Sequence, residues 1–138
     1  MRIEDSNVIK TSISKLFPII MTFSFYMFSY GANSPGGGFQ AGVIFGTIVV
    51  VTEVLFDVKV FSDTFYSLIE IAGVILLIII MIGGLIISGF LFGRFYEFQH
   101  SDSIYSNIFI WVISFAIYIE VSGSIVLIFR NFIGANNE

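Results

Sequence analysis

Apolar residues in this chain fall into four long blocks with no alternation between faces, separated by short polar stretches. The blocks run roughly from Ile13 to Tyr30, Gly38 to Phe56, Leu68 to Phe92 and Ile104 to Phe129. A helix needs about 20 mostly apolar residues to cross a hydrocarbon layer ~30 Å thick, and each block approaches or exceeds that length. The pattern predicts an all-α integral membrane protein: a single transmembrane domain over residues 1–138 with four transmembrane helices. Pro18 falls near the start of the first block, where a proline costs little because a first-turn amide has no helical partner. The stretch from Leu16 to Tyr30 contains bulky aromatics and no small-residue cleavage pattern, so it reads as a retained helix and not as a signal peptide.

Composition agrees with this reading. Of the 138 residues, 57% are hydrophobic and 12% charged, with a mean hydropathy of +0.97, well beyond the usage of soluble domains. The polar connections are too short for a separate soluble domain. With no cysteine in the chain, disulfides, thiolate metal sites and iron–sulfur ligation by this chain are excluded. A net charge of −4 without basic clusters gives no footprint for nucleic acid. No cofactor and no metal site is expected, and no catalytic constellation is present, so the chain reads as non-enzymatic.

An even number of spans places both termini on one side. That side carries Arg2, Lys10, Lys15, Lys59 and Arg130, and the other only Arg94. The excess of basic residues predicts cytoplasmic termini. Tyr66, Tyr96 and Tyr105 lie near block ends, where interfacial anchoring is the expected role.

The most distinctive segment is Asn33-Ser34-Pro35-Gly36-Gly37-Gly38-Phe39-Gln40-Ala41-Gly42. Pro35 fixes one backbone angle while Gly36, Gly37 and Gly38 permit positive φ, which suits a tight reversal at the mouth of the second helix. It is not a phosphate-binding loop, since no lysine and hydroxyl residue follow the last glycine. Gly38, Gly42 and Gly46 recur at four-residue spacing, a stripe that lets another backbone approach closely in lipid. The second helix is therefore expected to pack tightly against protein.

Three carboxylates, Glu53, Glu70 and Glu120, fall in or at the edge of the spans, where a charge at the bilayer centre costs about 2.5–3.5 kcal/mol on the insertion scale. At ~100° per residue Glu53 shares a face with Gly42 and Gly46, Glu70 with Gly73, Gly84 and Ser88, and Glu120 with Ala116, Gly123 and Ser124. All three are expected to face protein and are candidates for an ion path. Glu53 and Glu70 have a plainer alternative, reaching headgroups or pairing with Lys59. Glu120 lies ten residues before Arg130, hence ~15 Å inside the span, beyond snorkelling reach. No lysine or arginine within the spans accompanies it, so a charged partner at that depth is expected from another chain. His100, near Asp102 in a polar connection, reads as solvated, and Gly89 and Gly93 as packing residues.

Through Pro35-Gly36-Gly37-Gly38-Phe39, followed by Gln40-Ala41-Gly42 and set among four spans, the chain resembles the MnhB family, the B subunit of multisubunit Mrp-type sodium/proton antiporters. The resemblance covers nearly the whole chain and is carried mainly by residues 31–42. Many family members have a histidine where this chain has Ala32 and a glycine where it has Ala41, which removes any role for a histidine there. The resemblance implies a small subunit assembled with larger antiporter-like membrane subunits in the lipid bilayer of the cell. A homologous module in membrane-bound hydrogenases and related respiratory complexes is the alternative setting, and a purely structural scaffold subunit is another.

The charge asymmetry generates a direct test. Cysteines introduced at Ser34 and at Ser62 should react with an impermeant thiol reagent from opposite sides of the membrane; labelling of both from one side would refute the four-span topology.

Overall fold

The computed structural model describes residues 7–31, 37–88 and 104–135. Four helices fill them: α1 (Asn7–Tyr30), α2 (Gly38–Phe56), α3 (Asp63–Ser88) and α4 (Ile104–Ala135). All four are long and apolar enough to cross a membrane, and no strand occurs among the described residues. Pro35, Gly36, Gly89, Gly93, His100, Asn33, Ser34 and Tyr96 lie outside the described residues.

The helices outrun the apolar blocks at their polar ends. α1 begins six residues before the first block and α3 five before the third, because Asn7–Thr11 and Asp63–Ser67 have ordinary helix propensity and add hydrogen-bonded turns outside the apolar stretch. This changes the position of Pro18, which lies deep inside α1 and not in its first turn. A mid-helix proline leaves one carbonyl a turn earlier without its amide, a defect that membrane helices tolerate. Here the Thr22 hydroxyl donates back to the Pro18 carbonyl at 2.8 Å.

α1 and α2 reverse through a glycine pair. Gly37 has φ +100° and ψ −169°, a conformation open almost only to glycine, and a Cβ on Gly31 would overlap the Gly37 Cα. α2 ends at Asp57, the other left-handed residue (φ 51°), which closes the helix by turning its amide back to the Glu53 carbonyl.

In space the order is α1, α2, α4, α3. α4 is the hub, with α2 along one side and α3 along another, while α1 rests on α2. The glycine stripe sets the α2–α4 contact. A Cβ at Gly38 would strike the Ser114 carbonyl, one at Gly42 would lie 2.9 Å from the Tyr118 carbonyl oxygen, and one at Gly46 would lie 3.1 Å from that of Ser122. Residue numbers rise together on both helices, so α2 and α4 run parallel, matched four residues for four. Lipid tails are as apolar as side chains and supply no hydrophobic drive, so the contact rests on close backbone packing. The Ser122 hydroxyl bonds within α4, donating to the Tyr118 carbonyl at 2.6 Å, and lies 3.4 Å from the Gly42 carbonyl across the interface. The stripe does pack against protein, and that protein is this same chain.

Two clusters fill the interior. Tyr118 is ringed by Phe25, Phe28 and Phe45 at centroid distances of 6.1, 5.2 and 5.7 Å, with fully buried Ser24 donating to the Ala41 carbonyl alongside. The second gathers Val49, Val50, Tyr66 and Val126, with Met21 packed against it, so all four helices contribute. Tyr66 is thus a core residue, only 4% exposed, and not the interfacial anchor its position near a block end predicts. Of Tyr105 only the backbone is described.

The contact at Gly38 has no room, whereas a Cβ at Gly83 would meet nothing within 4 Å. Gly38→Ala should therefore destabilise the fold by about 1–3 kcal/mol through overpacking, while Gly83→Ala should be neutral or stabilising by up to about 1 kcal/mol. Thermal unfolding in detergent micelles checks the contrast.

Candidate functional site

At the end of the bundle where α2 and α4 finish and α3 begins, one arginine gathers the chain. α2 and α4 run in parallel register from Gly46 against Ser122 and Ile125, and about two turns further on, seven residues past Gly46 and eight past Ser122, Glu53 comes level with Arg130. The Arg130 Nε donates to Glu53 Oε2 at 2.9 Å and Nη2 to Glu53 Oε1 at 2.6 Å. This two-pronged geometry is the strongest form of arginine–carboxylate pairing. Nη1 donates to Asp63 Oδ1 at the start of α3, and Nη2 also reaches the Phe61 carbonyl at 2.8 Å. The Val60 amide donates to Glu53 Oε1 at 3.0 Å, and the guanidinium carbon lies 4.9 Å from the centre of the Tyr66 ring, a cation–π contact. Arg130 and Glu53 keep only 13% and 9% of their side-chain surface exposed.

This arrangement excludes the plainer alternative of Glu53 pairing with Lys59. Lys59 instead bonds Asp63 one turn away at 3.2 Å, on the exposed surface, because the turn after Asp57 directs it outward while the helix register delivers Arg130. Glu70 does not pair with Lys59 either. The Ser124 hydroxyl donates to Glu70 Oε1 at 2.7 Å, across the α3–α4 seam.

That seam is built by two further glycines. A Cβ at Gly123 would lie 2.9 Å from the Tyr66 carbonyl oxygen and 3.3 Å from the Glu70 amide, and one at Gly73 would lie 2.6 Å from the Glu120 Cβ. α3 and α4 are therefore antiparallel and closely packed, with Glu120 laid over Gly73. Glu120 is half-buried, and its carboxylate makes no hydrogen bond among the described residues. It stands one helical turn, ~6 Å, from Ser124 and hence from the Glu70 pair.

The three acids thus divide. Glu53 is locked in an ion pair, Glu70 accepts one neutral hydrogen bond, and Glu120 is unengaged at the greatest distance from Arg130. Of the turn and packing residues, Gly37, Gly38, Gly42 and Gly46 are placed as above, with Pro35 and Gly36 outside the described residues. No cluster of three or more metal-ligating side chains occurs among the described residues. The residue the sequence reading missed is Arg130, whose signal was the parallel register of the two helices carrying Glu53 and Arg130, beginning from the glycine stripe.

A family model described as a domain related to the MnhB subunit of Na+/H+ antiporter matches residues 8–127. The chain belongs to this family. MnhB relatives include the putative antiporter subunit mnhB2 of Staphylococcus saprophyticus, 41% identical over 56 residues that make up 41% of this chain and 40% of that one. The corresponding protein of Staphylococcus aureus strain Newman is 37% identical over 57 residues, again 41% and 40% of the two chains. A Na(+)/H(+) antiporter subunit of Bacillus subtilis is 33% identical over 87 residues, 62% of this chain and 59% of the relative. The matched stretch thus spans between two fifths and three fifths of these relatives' length. No solved structure matches the chain.

Arg130 and Lys59 make opposite predictions. Removing one member of a largely buried pair leaves the other charge uncompensated, so Arg130→Gln should destabilise the protein by about 3–5 kcal/mol. Lys59→Gln at the exposed pair should change stability by less than about 1 kcal/mol. Thermal unfolding of both variants in detergent distinguishes them.

Proposed function

We propose that this MnhB-family chain is a membrane subunit of a multisubunit sodium/proton antiporter, seated in the plasma membrane with both termini in the cytoplasm, and that its α3–α4 seam contributes to the ion path. The antiporter subunits among its relatives support the setting. The observation that carries the role of the seam is Glu120, a half-buried carboxylate over Gly73 with no hydrogen bond among the described residues.

In this reading Glu120 is the group that exchanges a proton or a cation. An acid held inside a membrane without a fixed partner is costly as a structural element, and its free oxygens remain available to a mobile ion or to a donor on a neighbouring subunit. Glu70, held through Ser124 one turn away, is the next station toward the end of the bundle. Ser124 can rotate its hydroxyl to donate or accept, so it suits a relay between the two carboxylates. Glu53 plays a structural part, because loading it with a proton or cation would break two charge-assisted bonds to Arg130. Larger membrane subunits supply the remainder of the path.

Glu120→Gln preserves size and hydrogen bonding and removes titration. In everted vesicles it should leave the assembled complex intact on a native gel while reducing cation-dependent proton exchange to a small fraction of the wild-type rate. Wild-type exchange across the pH range would remove Glu120 from the path and leave the chain as a scaffold.

A further inference from the structure

The outer faces of α1 and α3 differ in chemistry. From Leu68 to Ile86 every exposed residue of α3 is alanine, valine, leucine or isoleucine, a surface as apolar as the lipid tails around it. The outer face of α1 is mixed. Ser12, Lys15, Ile19, Thr22, Phe23 and Tyr26 are all exposed and lie within ~60° of Ile19 around the helix, opposite the buried Ser24 and Phe28 that face the bundle. Small and hydroxyl-bearing residues of this kind are enriched where membrane helices meet one another.

The same face is notched. A cavity of about 530 Å³ is lined by Pro18, Ile19, Thr22, Phe23 and Tyr26. The last four stand at positions i, i+3, i+4 and i+7, the four-residue diamond that receives one side chain of a facing helix in knobs-into-holes packing. Thr22 is the smallest of the four, and its hydroxyl is turned back onto the Pro18 carbonyl, so the notch suits an apolar knob.

One heptad before Thr22 lies Lys15, ~12 Å along α1 from Asn7. It makes no hydrogen bond or ion pair among the described residues. A cation closed into an interface calls for a carboxylate opposite, and this selects the occupant. A second copy of the chain in the same membrane orientation, seated on this face about a two-fold axis, would present its own Lys15 at the same depth. Like charges brought together across an interface disfavour that pairing.

We propose that the outer face of α1 docks a transmembrane helix of a different subunit, crossing at the angle of about 20° that belongs to this packing. One bulky apolar side chain of that helix enters the notch, and a carboxylate about one heptad away meets Lys15. The aliphatic face of α3 is left to lipid. This inference rests on the reading of the chain as one subunit among several and does not involve Glu120.

The test uses the full complex in its native membrane. Photoreactive benzoylphenylalanine placed at Phe23 should cross-link a polypeptide of different sequence, identified by mass spectrometry of the adduct, whereas the same group at Ile79 on α3 should give lipid adducts. Lys15→Gln, at an exposed position where the fold is not at stake, should speed loss of the cross-linked partner from the complex in mild detergent by at least about tenfold, since an enclosed ion pair acts mainly on dissociation. The docking face is overturned by adducts with another copy of this chain, by lipid adducts alone at Phe23 while other subunits still copurify, by equal protein adducts at both positions, or by wild-type dissociation of Lys15→Gln. If no other subunit copurifies with the wild-type chain, the docking face falls together with the multisubunit reading.

Discussion

The rest of the molecule depends on backbone-to-backbone contact between α2 and α4. Three glycines on one helix meet three carbonyls on the other, and side chains are absent where the two main chains approach. In a membrane such contact gains dispersion energy that lipid tails cannot match once the helices fit closely. It also fixes a register with little freedom, since sliding by one residue would drive a Cβ into a carbonyl. Every polar group beyond the stripe inherits its position from that register. Glu53 meets Arg130 because the two lie about two turns past the last contact of the stripe, seven residues beyond Gly46 and eight beyond Ser122, and neither needs a flexible search to find the other.

α4 serves as the shared wall of two different interfaces. Toward α2 it presents Ser114, Tyr118 and Ser122, whose carbonyls line the contact with the stripe. Toward α3 it presents Ala116, Glu120 and Gly123, a surface just as close-packed but carrying an acid. The two faces place an immobile seam beside one with an uncommitted carboxylate. A charge-bearing surface can be held at fixed geometry in lipid only if the helix that carries it is anchored elsewhere, and the α2–α4 contact supplies that anchor.

The number of helices was legible in the sequence because burial in lipid demands long apolar runs and little else satisfies that demand. The glycine stripe was legible for the same reason, since small residues at four-residue spacing have few other uses in a membrane helix. What could not be read was which helix the stripe meets. Periodicity gives the face of a helix, not its neighbour, and the neighbour turned out to be α4 and not a second subunit. Pro18 and Tyr66 misled for a related reason: both were judged by distance from an apolar boundary, whereas the helices extend past those boundaries. The helical arithmetic put Glu70 and Glu120 on faces with glycines, and these glycines proved to belong to one seam, Gly73 opposite Glu120 and Gly123 opposite Glu70. The partners that divide the acids, Arg130 and Ser124, are contributions of tertiary register and carry no local signal.

The parallel course of α2 and α4 has a consequence for the electric field at this end of the protein. Peptide dipoles accumulate toward a helix C-terminus as a partial negative charge, and here α2 finishes beside α4 with Glu53 in its last turn and Asp57 as its cap. Two aligned dipoles and two acids would make that corner strongly electronegative, the reverse of what an apolar surrounding permits. Arg130 projects into it from one helix, binds the acid of the next and holds the first residue of α3, where Asp63 meets the favourable positive pole of its own helix. A single guanidinium thereby sets the potential at the mouth of the bundle, and an approaching cation meets whatever residual negative field that one side chain leaves uncancelled.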